Sequence, residues 1–278
     1  MPNTQIAVLM KLRYDPFQVF RFNKTPAGLY ARQKWLGEAK TPQWQRDFQE
    51  SVSALWADQL PDGSWQHELL ATILHLFGLH LTVRTSSQQI ENALIWLLEK
   101  IDLQTDAINV SSETDVGKVN LKGLPFVSSR PAMLLTGATL FLSTIFGLQN
   151  DPAVFSLYQW LSNEGIKSKG LWFDRASSHN IFRAMVVHPV FAKDRSTALA
   201  VECLSGLQTV NGDWGYTLPF YQTLNALAHL ESPRAEIQLE RAFAHLIEIQ
   251  NSDGTWGRRD PVWNTFLSVH ALKNKGIL

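Results

Sequence analysis

The side chains best suited to chemistry recur at fixed distances from four tryptophans. His80, His188, His229 and His270 stand fourteen to sixteen residues after Trp65, Trp172, Trp214 and Trp256, in that order. Asn180 and Asn264 lie eight residues after Trp172 and Trp256, and Arg183 and Asn225 lie eleven after Trp172 and Trp214. On helices that begin near each tryptophan, this spacing puts imidazole, amide and guanidinium groups at matching depths. Such a girdle could relay protons, steady a cation or receive an anionic head group. The competing reading is that each histidine satisfies the carbonyl end of its own helix. Histidines spread over four helices stand too far apart for one metal ion, so no metal site is expected. Arg183 needs either a buried acid or an anionic ligand, because an unpaired buried charge is costly.

A second set is acidic. Glu68, Asp174 and Asp260 fall two to four residues after Trp65, Trp172 and Trp256. A carboxylate at the mouth of a cavity could act as a general acid if desolvation raised its pKa, with His188 among the histidines able to relay the proton. The alternative is helix capping at the positive end of the dipole. Asp260, directly before Pro261, suits capping best, whereas Ser177 or Ser178 could replace Asp174 in that role. Trp263, Phe266, Tyr216, Phe220 and Tyr221 offer ring faces to a carbocation, or simply interlock as core. Lys169, Arg175, Arg258 and Arg259 gather in turn loops, where they meet a diphosphate or only water.

The elements that must position these groups are announced by a repeat. Gln59-x3-Gly63-x-Trp65, Gln208-x3-Gly212-x-Trp214 and Gln250-x3-Gly254-x-Trp256 share one pattern, and Gly170-x-Trp172 keeps its end. The last three tryptophans are 42 residues apart. In each copy a helix runs into the glutamine, glycine takes a left-handed turn, and the tryptophan fills the joint between helical hairpins. The glutamine amide can bond backbone groups that the turn leaves unpaired. Thr25-Pro26, Thr41-Pro42, Asp151-Pro152, Ser232-Pro233, Asp260-Pro261 and Asp15-Pro16 read as helix starts, and Arg130-Pro131 as a start without a cap. Together these signals predict twelve helices in six pairs, the first of each pair amphipathic and the second more apolar. The pairs are 4–22 with 25–36, 41–59 with 66–82, 88–104 with 131–148, 151–162 with 178–191, 196–208 with 216–230, and 232–250 with 260–273. Six such hairpins close into a ring, an all-α (α/α)6 toroid forming one domain over 1–278, with a long loop insertion at about 105–130.

Composition bounds the partners. The chain has 278 residues, 45% hydrophobic and 18% charged, with 25 basic and 25 acidic side chains. That balance gives nucleic acid nothing to hold, so no nucleic-acid partner is expected. Cys203 is the sole cysteine, which excludes an intrachain disulfide and a cysteine-rich zinc site. The stretch 131–148 is nearly apolar enough to span a bilayer, but its polar Thr136, Thr139 and Ser143 favour a helix buried in protein. Membrane contact stays open; a transmembrane span is not expected. Residues 1–12 carry no secretory pattern, so a cytoplasmic location is expected. Nothing in the sequence sets the oligomeric state.

The Gln-x3-Gly-x-Trp copies resemble the turn repeats of squalene and oxidosqualene cyclases, diterpene cyclases and protein prenyltransferase beta subunits. The resemblance covers most of the chain from residue 47 onward and implies their toroidal fold, with a cavity for an isoprenoid, terpenoid or prenyl diphosphate and no cofactor. The chemistry departs from these relatives. No two aspartates are adjacent anywhere, so the Asp-x-Asp-Asp acid of class II cyclases and the aspartate-rich magnesium motif are both absent. The zinc-binding Asp-x-Cys of prenyltransferases is replaced by Val201-Glu202-Cys203. Three functions remain: a noncanonical terpenoid cyclase-like or isomerase-like enzyme, a carrier or sensor of a hydrophobic ligand, and a toroidal interaction scaffold.

Overall fold

The computed structural model describes residues 11–101 and 121–278. Among these residues there are eleven α-helices and no β-strand. They are α1 (Pro26–Lys34), α2 (Pro42–Trp56), α3 (Leu69–Thr82), α4 (Gln88–Leu98), α5 (Pro131–Ile145) and α6 (Pro152–Lys167). The remainder are α7 (Arg175–Met185), α8 (Arg195–Leu207), α9 (Phe220–Leu227), α10 (Pro233–Glu248) and α11 (Pro261–Asn274).

Six of them begin with proline at the first helical position, where the missing N–H has no intrahelical partner in any case. Side chains of Thr25, Thr41, Ser87, Asp151, Asp174 and Asp194 accept first-turn N–H bonds at the starts of α1, α2, α4, α6, α7 and α8. The odd-numbered helices pack on one another in sequence: α1 on α3, α3 on α5, α5 on α7, α7 on α9, α9 on α11, and α11 back on α1. The even-numbered helices lie against these, α2 on α1 and α3, α4 on α3 and α5, α6 on α5, α8 on α7 and α10 on α9. Thirteen of the fifteen residues of α5 are buried, which accounts for its membrane-like composition. No helix among the described residues is long and apolar enough to cross a membrane.

The repeated motif is the joint between neighbouring units. Trp65, Trp172, Trp214 and Trp256 are fully buried. The indole N–H groups of Trp65, Trp172 and Trp256 donate to the carbonyls of Ala57, Leu161 and Leu246. Each glutamine amide closes its own turn and also ties it to the next unit. Gln59 donates to Gly63 O and Gln89 O, and Gln208 to Gly212 O and Gln238 O. Gln250 donates to Gly254 O and to Tyr14 O, and its Oε1 accepts the N–H groups of Arg13 and Tyr14, at 3.1 Å each. Gly63 shows why glycine is needed: its φ is +90°, and a Cβ there would stand 2.6 Å from the Ala93 backbone nitrogen.

Several boundaries differ from expectation, each for a local reason. Within 11–22, Asp15-Pro16 starts no α-helix; the rest of the expected 4–22 helix lies outside the described residues. The Asp15 carboxylate bonds the Phe17 N–H, Arg13 and Tyr14 are held by Gln250, and only the 3₁₀ turn Gln18–Phe20 forms. Gln66 and His67 have positive φ, so α3 begins at Leu69. Pro219 delays α9 to Phe220, because its ring disfavours helical geometry at Leu218. α7 ends at Met185, three residues before His188-Pro189, and the His188 ring accepts the N–H groups of Val190 and Phe191. The expected 105–130 insertion falls outside the described residues except for 121–130, which contain no helix.

Candidate functional site

A cavity of about 530 Å³ lies at the end of the structure where α1 and α11 begin and reaches along the middle and last turns of α3. Ala27 of α1, Leu74, Phe77 and Leu81 of α3, and Val262 and Trp263 of α11 supply its apolar wall, with Leu124 on one side. Its polar members include Asn23, Thr25, Lys122 and Asp260. Residues 121–130 run across this end and are pinned at several points. Trp263 donates its indole N–H to Leu124 O, and Lys122 pairs with Asp260 at 3.2 Å. Asn180 is fully buried and treats Val127 as a strand partner would: its Oδ1 accepts the Val127 N–H, while its Nδ2 donates to Val127 O and to Ser129 Oγ. Phe126 packs edge-on against Phe141.

Deeper along the same helices, aromatic rings form a layer. Trp263 stacks on Phe266 with centroids 5.2 Å apart, and Phe77 meets Trp263 edge-on at 6.0 Å. Tyr30 and Trp35 pack on Phe266, and Phe77 lies against Phe141. Below this layer sits a polar cluster. Arg183 Nη1 donates to Asn225 Oδ1 at 2.6 Å. Asn225 Nδ2 donates to Leu267 O and stands 3.3 Å from His270 Nδ1. The His229 and His270 rings are 5.5 Å apart, and the Arg183 guanidinium lies 5.3 Å from the Phe141 ring centre. No carboxylate among the described residues forms an ion pair with Arg183.

Electrostatics follow from that composition. Burial lowers the Arg183 pKa to about 9. Burial, helped by the charges of His270, Arg183 and Arg84, lowers His80 to about 3. Burial and Arg183 lower His270 to about 4 and, on the neighbouring turn, His179 to about 4. His229 is held well below 6.5 by burial and then by Arg183, His270, His80 and Lys275. At neutral pH the cluster is therefore one guanidinium cation among uncharged imidazoles.

The expected girdle is partly assembled. Arg183, Asn225, His229 and His270 come together, with His80 close enough to feel their charges. His188 does not join them. Its ring is turned towards α6, packed at 4.4 Å on Tyr158, and its Nε2 is 3.3 Å from Gln149 O. Nor does it bond the carbonyl end of its own helix, the competing reading: its Nδ1 accepts N–H groups from the turn that follows α7. Asn264 donates to Arg259 O and completes its own turn. Arg258 and Arg259 are exposed and do not line the cavity.

The acids also separate. Asp174 caps α7, accepting the Ser177 N–H at 2.9 Å and the Ser177 hydroxyl, and lies 3.5 Å from Arg130 Nε. Asp260 makes no capping bond, contrary to expectation, because its own φ is +49° and its carboxylate turns to Lys122. Glu68 is exposed and makes no capping bond. With Asp174 45% and Asp260 39% exposed, none of the three is desolvated as a general acid would need. Sequence reasoning did not single out Tyr30, Arg84 or His179, because none recurs at the tryptophan spacing. Among the described residues no group of acidic, histidine or cysteine side chains is arranged to hold a metal ion.

No protein-family model and no curated protein matches this chain. Solved structures do. A variant of the type II terpene cyclase MstE from Scytonema, bound to its substrate geranylgeranyl dihydroxybenzoate, is 13% identical with a TM-score of 0.58, covering 92% of this chain and 87% of its own. Another MstE variant, bound to its product merosterolic acid A, has a TM-score of 0.56 at 13% identity, covering 92% and 88%. A protein from Actinoplanes matches at 0.56 and 14%, covering 92% and 90%. At such identity the likeness is one of architecture: the chain has a fold like that of the type II terpene cyclases.

Proposed function

We propose that the six odd-numbered helices form the inner wall of an (α/α)6 toroid whose lumen binds an isoprenoid or a similar apolar molecule. The observation that carries this reading is the cavity of about 530 Å³ walled by Ala27, Leu74, Phe77, Leu81, Val262 and Trp263. That volume falls within the roughly 300–1,000 Å³ typical of small-molecule sites. Apolar walls with polar groups gathered at one end suit a chain molecule carrying a single polar terminus. Structural neighbours that hold a geranylgeranyl substrate and its product support the ligand class.

Holding the ligand, rather than protonating it, is the role the geometry favours. Among the described residues the only carboxylate on the cavity wall is Asp260, and it is paired with Lys122. The imidazoles of the deeper cluster are uncharged at neutral pH and cannot serve there as strong acids. One observation keeps an isomerase-like or cyclase-like turnover as a second reading. Stacked Trp263 and Phe266, with Phe77 edge-on, would cradle a carbocation if one were formed.

The test is native mass spectrometry and lipid extraction of freshly purified protein, followed by titration with geranylgeraniol. The expected result is a co-purified or added apolar ligand at one per chain. Leu74→Trp, which fills the cavity, should weaken that binding at least tenfold without loss of fold. Absence of any ligand together with failure to bind geranylgeraniol would overturn the proposal. A cyclised product from a geranylgeranyl substrate would establish the second reading in place of the first.

A further inference from the structure

We infer that the floor of the lumen is a binding site for a small oxyanion, such as a phosphate, diphosphate or carboxylate group, grasped by Arg183 with Asn225 and by His80, His229 and His270 as they take up protons. The inference rests on the proposed lumen ligand only for where an attached tail would go. The anion site itself stands on the cluster.

Its first support is the sign of the described side chains that face it. α1 contributes Tyr30, α3 contributes His80 with Arg84 just past its end, and α5 contributes Phe141 and no ionisable group. α7 supplies Arg183 and His179, His229 lies just past the end of α9, and α11 supplies His270 with Lys275 beyond it. The acid in reach is Glu236 of α10, and it is already paired with Lys275 at 2.5 Å. A buried site built from bases alone is expensive unless something negative enters.

The second support is unused bonding capacity. Arg183 is only 5% exposed, yet its Nε has no hydrogen-bond partner, and the same holds for His80 Nδ1 and His229 Nε2. Water could satisfy such atoms but not the charge. His80, His229 and His270 keep part of their surface accessible between the rings that pack on them, so a group of water size can reach the cluster. An oxyanion beside Arg183 would cancel the Arg183 field and, by its own negative charge, offset the desolvation that chiefly keeps the imidazoles neutral, so that each protonated imidazole would then add a donor. Arg84, poised over the Tyr30 ring at 4.9 Å, extends the same positive field.

The test is calorimetric titration of the full chain with sulfate near pH 6, in buffers of different ionisation enthalpy. Sulfate does not titrate there, so protons taken up belong to the protein. We expect binding with net proton uptake, at least about tenfold tighter near pH 6 than near pH 8, and lost in Arg183→Met. His270→Gln should keep the fold and reduce the proton uptake, which serves if Arg183→Met does not fold. Parallel titrations with geranylgeranyl diphosphate and geranylgeraniol separate the sources. If sulfate binds through Arg183, a free anion suffices. If only the diphosphate binds through Arg183, the anion is the head of the lumen ligand. If neither shows Arg183-dependent binding, or binding takes up no protons, the inference is overturned. Sulfate binding through Arg183 without geranylgeraniol binding would sink the apolar-ligand proposal alone, and geranylgeraniol binding with no Arg183-dependent binding of either anion would sink this one alone.

Discussion

Two arginines are buried in this protein, and their surroundings are opposites. Arg32, on α1 at the joint with α2, is 2% exposed and meets two acids, with Nη1 2.8 Å from Asp47 and Nε 2.8 Å from Glu38. Lys24 and Gln43 complete the grip on Asp47. Arg183 is buried about as deeply and meets an amide, an aromatic face and a set of uncharged imidazoles. At the first site the charges answer one another within the chain. Among the described residues the second leaves a cation without an acid, although the turn at Gln250 shows how fully this fold can satisfy a polar group, with both ends of that amide bonded. Among the described residues no carboxylate neutralises the Arg183 charge, and that contrast with Arg32 is what the anion-site inference rests on.

Removing each arginine should separate the two sites. The largest effect is expected from Arg32→Met, which strands Asp47 and Glu38 beneath the α1–α2 joint. Breaking a buried pair by deleting one partner costs about 3–5 kcal/mol. Lys24 remains on Asp47 and is itself 59% exposed, so the loss should fall near the lower figure. Chemical denaturation would read it directly, and an unchanged midpoint would show that the joint does not depend on the pair.

The next effect sharpens the contrast through pH. Hydrogen bonds from Lys24 and then Arg32 hold the Asp47 carboxyl down at about 2, below its unfolded value of 3.8. Stability from that site is complete above about pH 4 and disappears only as pH falls towards 2. The buried histidines titrate elsewhere. His179 and His270 near 4 and His80 near 3 sit below their unfolded value of 6.5. The unfolded chain therefore binds more protons between those limits, and stability is full above about pH 6.5 and falls as the solution is acidified towards 4. Each histidine contributes up to about 1.4 kcal/mol per pH unit in that window. Melting temperature should drop between pH 6.5 and 5 in the wild type, well above the range in which Asp47 takes up its proton; a flat profile there would contradict the burial of the imidazoles.

What the sequence made legible follows the range of the forces involved. The motif joints could be read because their physics is local: a glutamine, a glycine at positive φ and a buried indole act within seven residues, and their copies repeat. Helix starts at proline were legible for the same reason. Arg183, Asn225 and His229 were placed by counting from a tryptophan, which works while the helix stays regular. The same count failed for His188, where Pro189 ends the helix and turns the ring outward. It failed for Asn180, whose amide is taken by Val127, 53 residues away in sequence. It failed for Asp260, because a backbone in the left-handed region cannot present a capping carboxylate. The acid expected beside Arg183 could be neither found nor excluded from composition, since balanced totals say nothing about which charges meet.

The smallest stability effect, and the sharpest use of the comparison, is expected from Arg183→Met. Near pH 8 two changes oppose each other. The variant no longer pays to keep a guanidinium out of water, a penalty visible in the pKa lowered to about 9. Against that, Asn225 Oδ1 loses its donor, and an unsatisfied buried acceptor costs about 1–3 kcal/mol. The net change should lie within about 1 kcal/mol of zero, far from the loss expected for Arg32→Met, because no acid is left behind. The sign should then shift with pH. The charge of Arg183 helps to depress His80, His179, His229 and His270, so its removal lets their folded pKa values rise towards 6.5. Fewer protons then separate the unfolded from the folded state, and the acid-side loss becomes shallower. Arg183→Met should therefore gain on the wild type as pH falls from 8 to 5. Thermal melts of both proteins across that range decide it: parallel curves would mean that Arg183 does not set the protonation of the lumen.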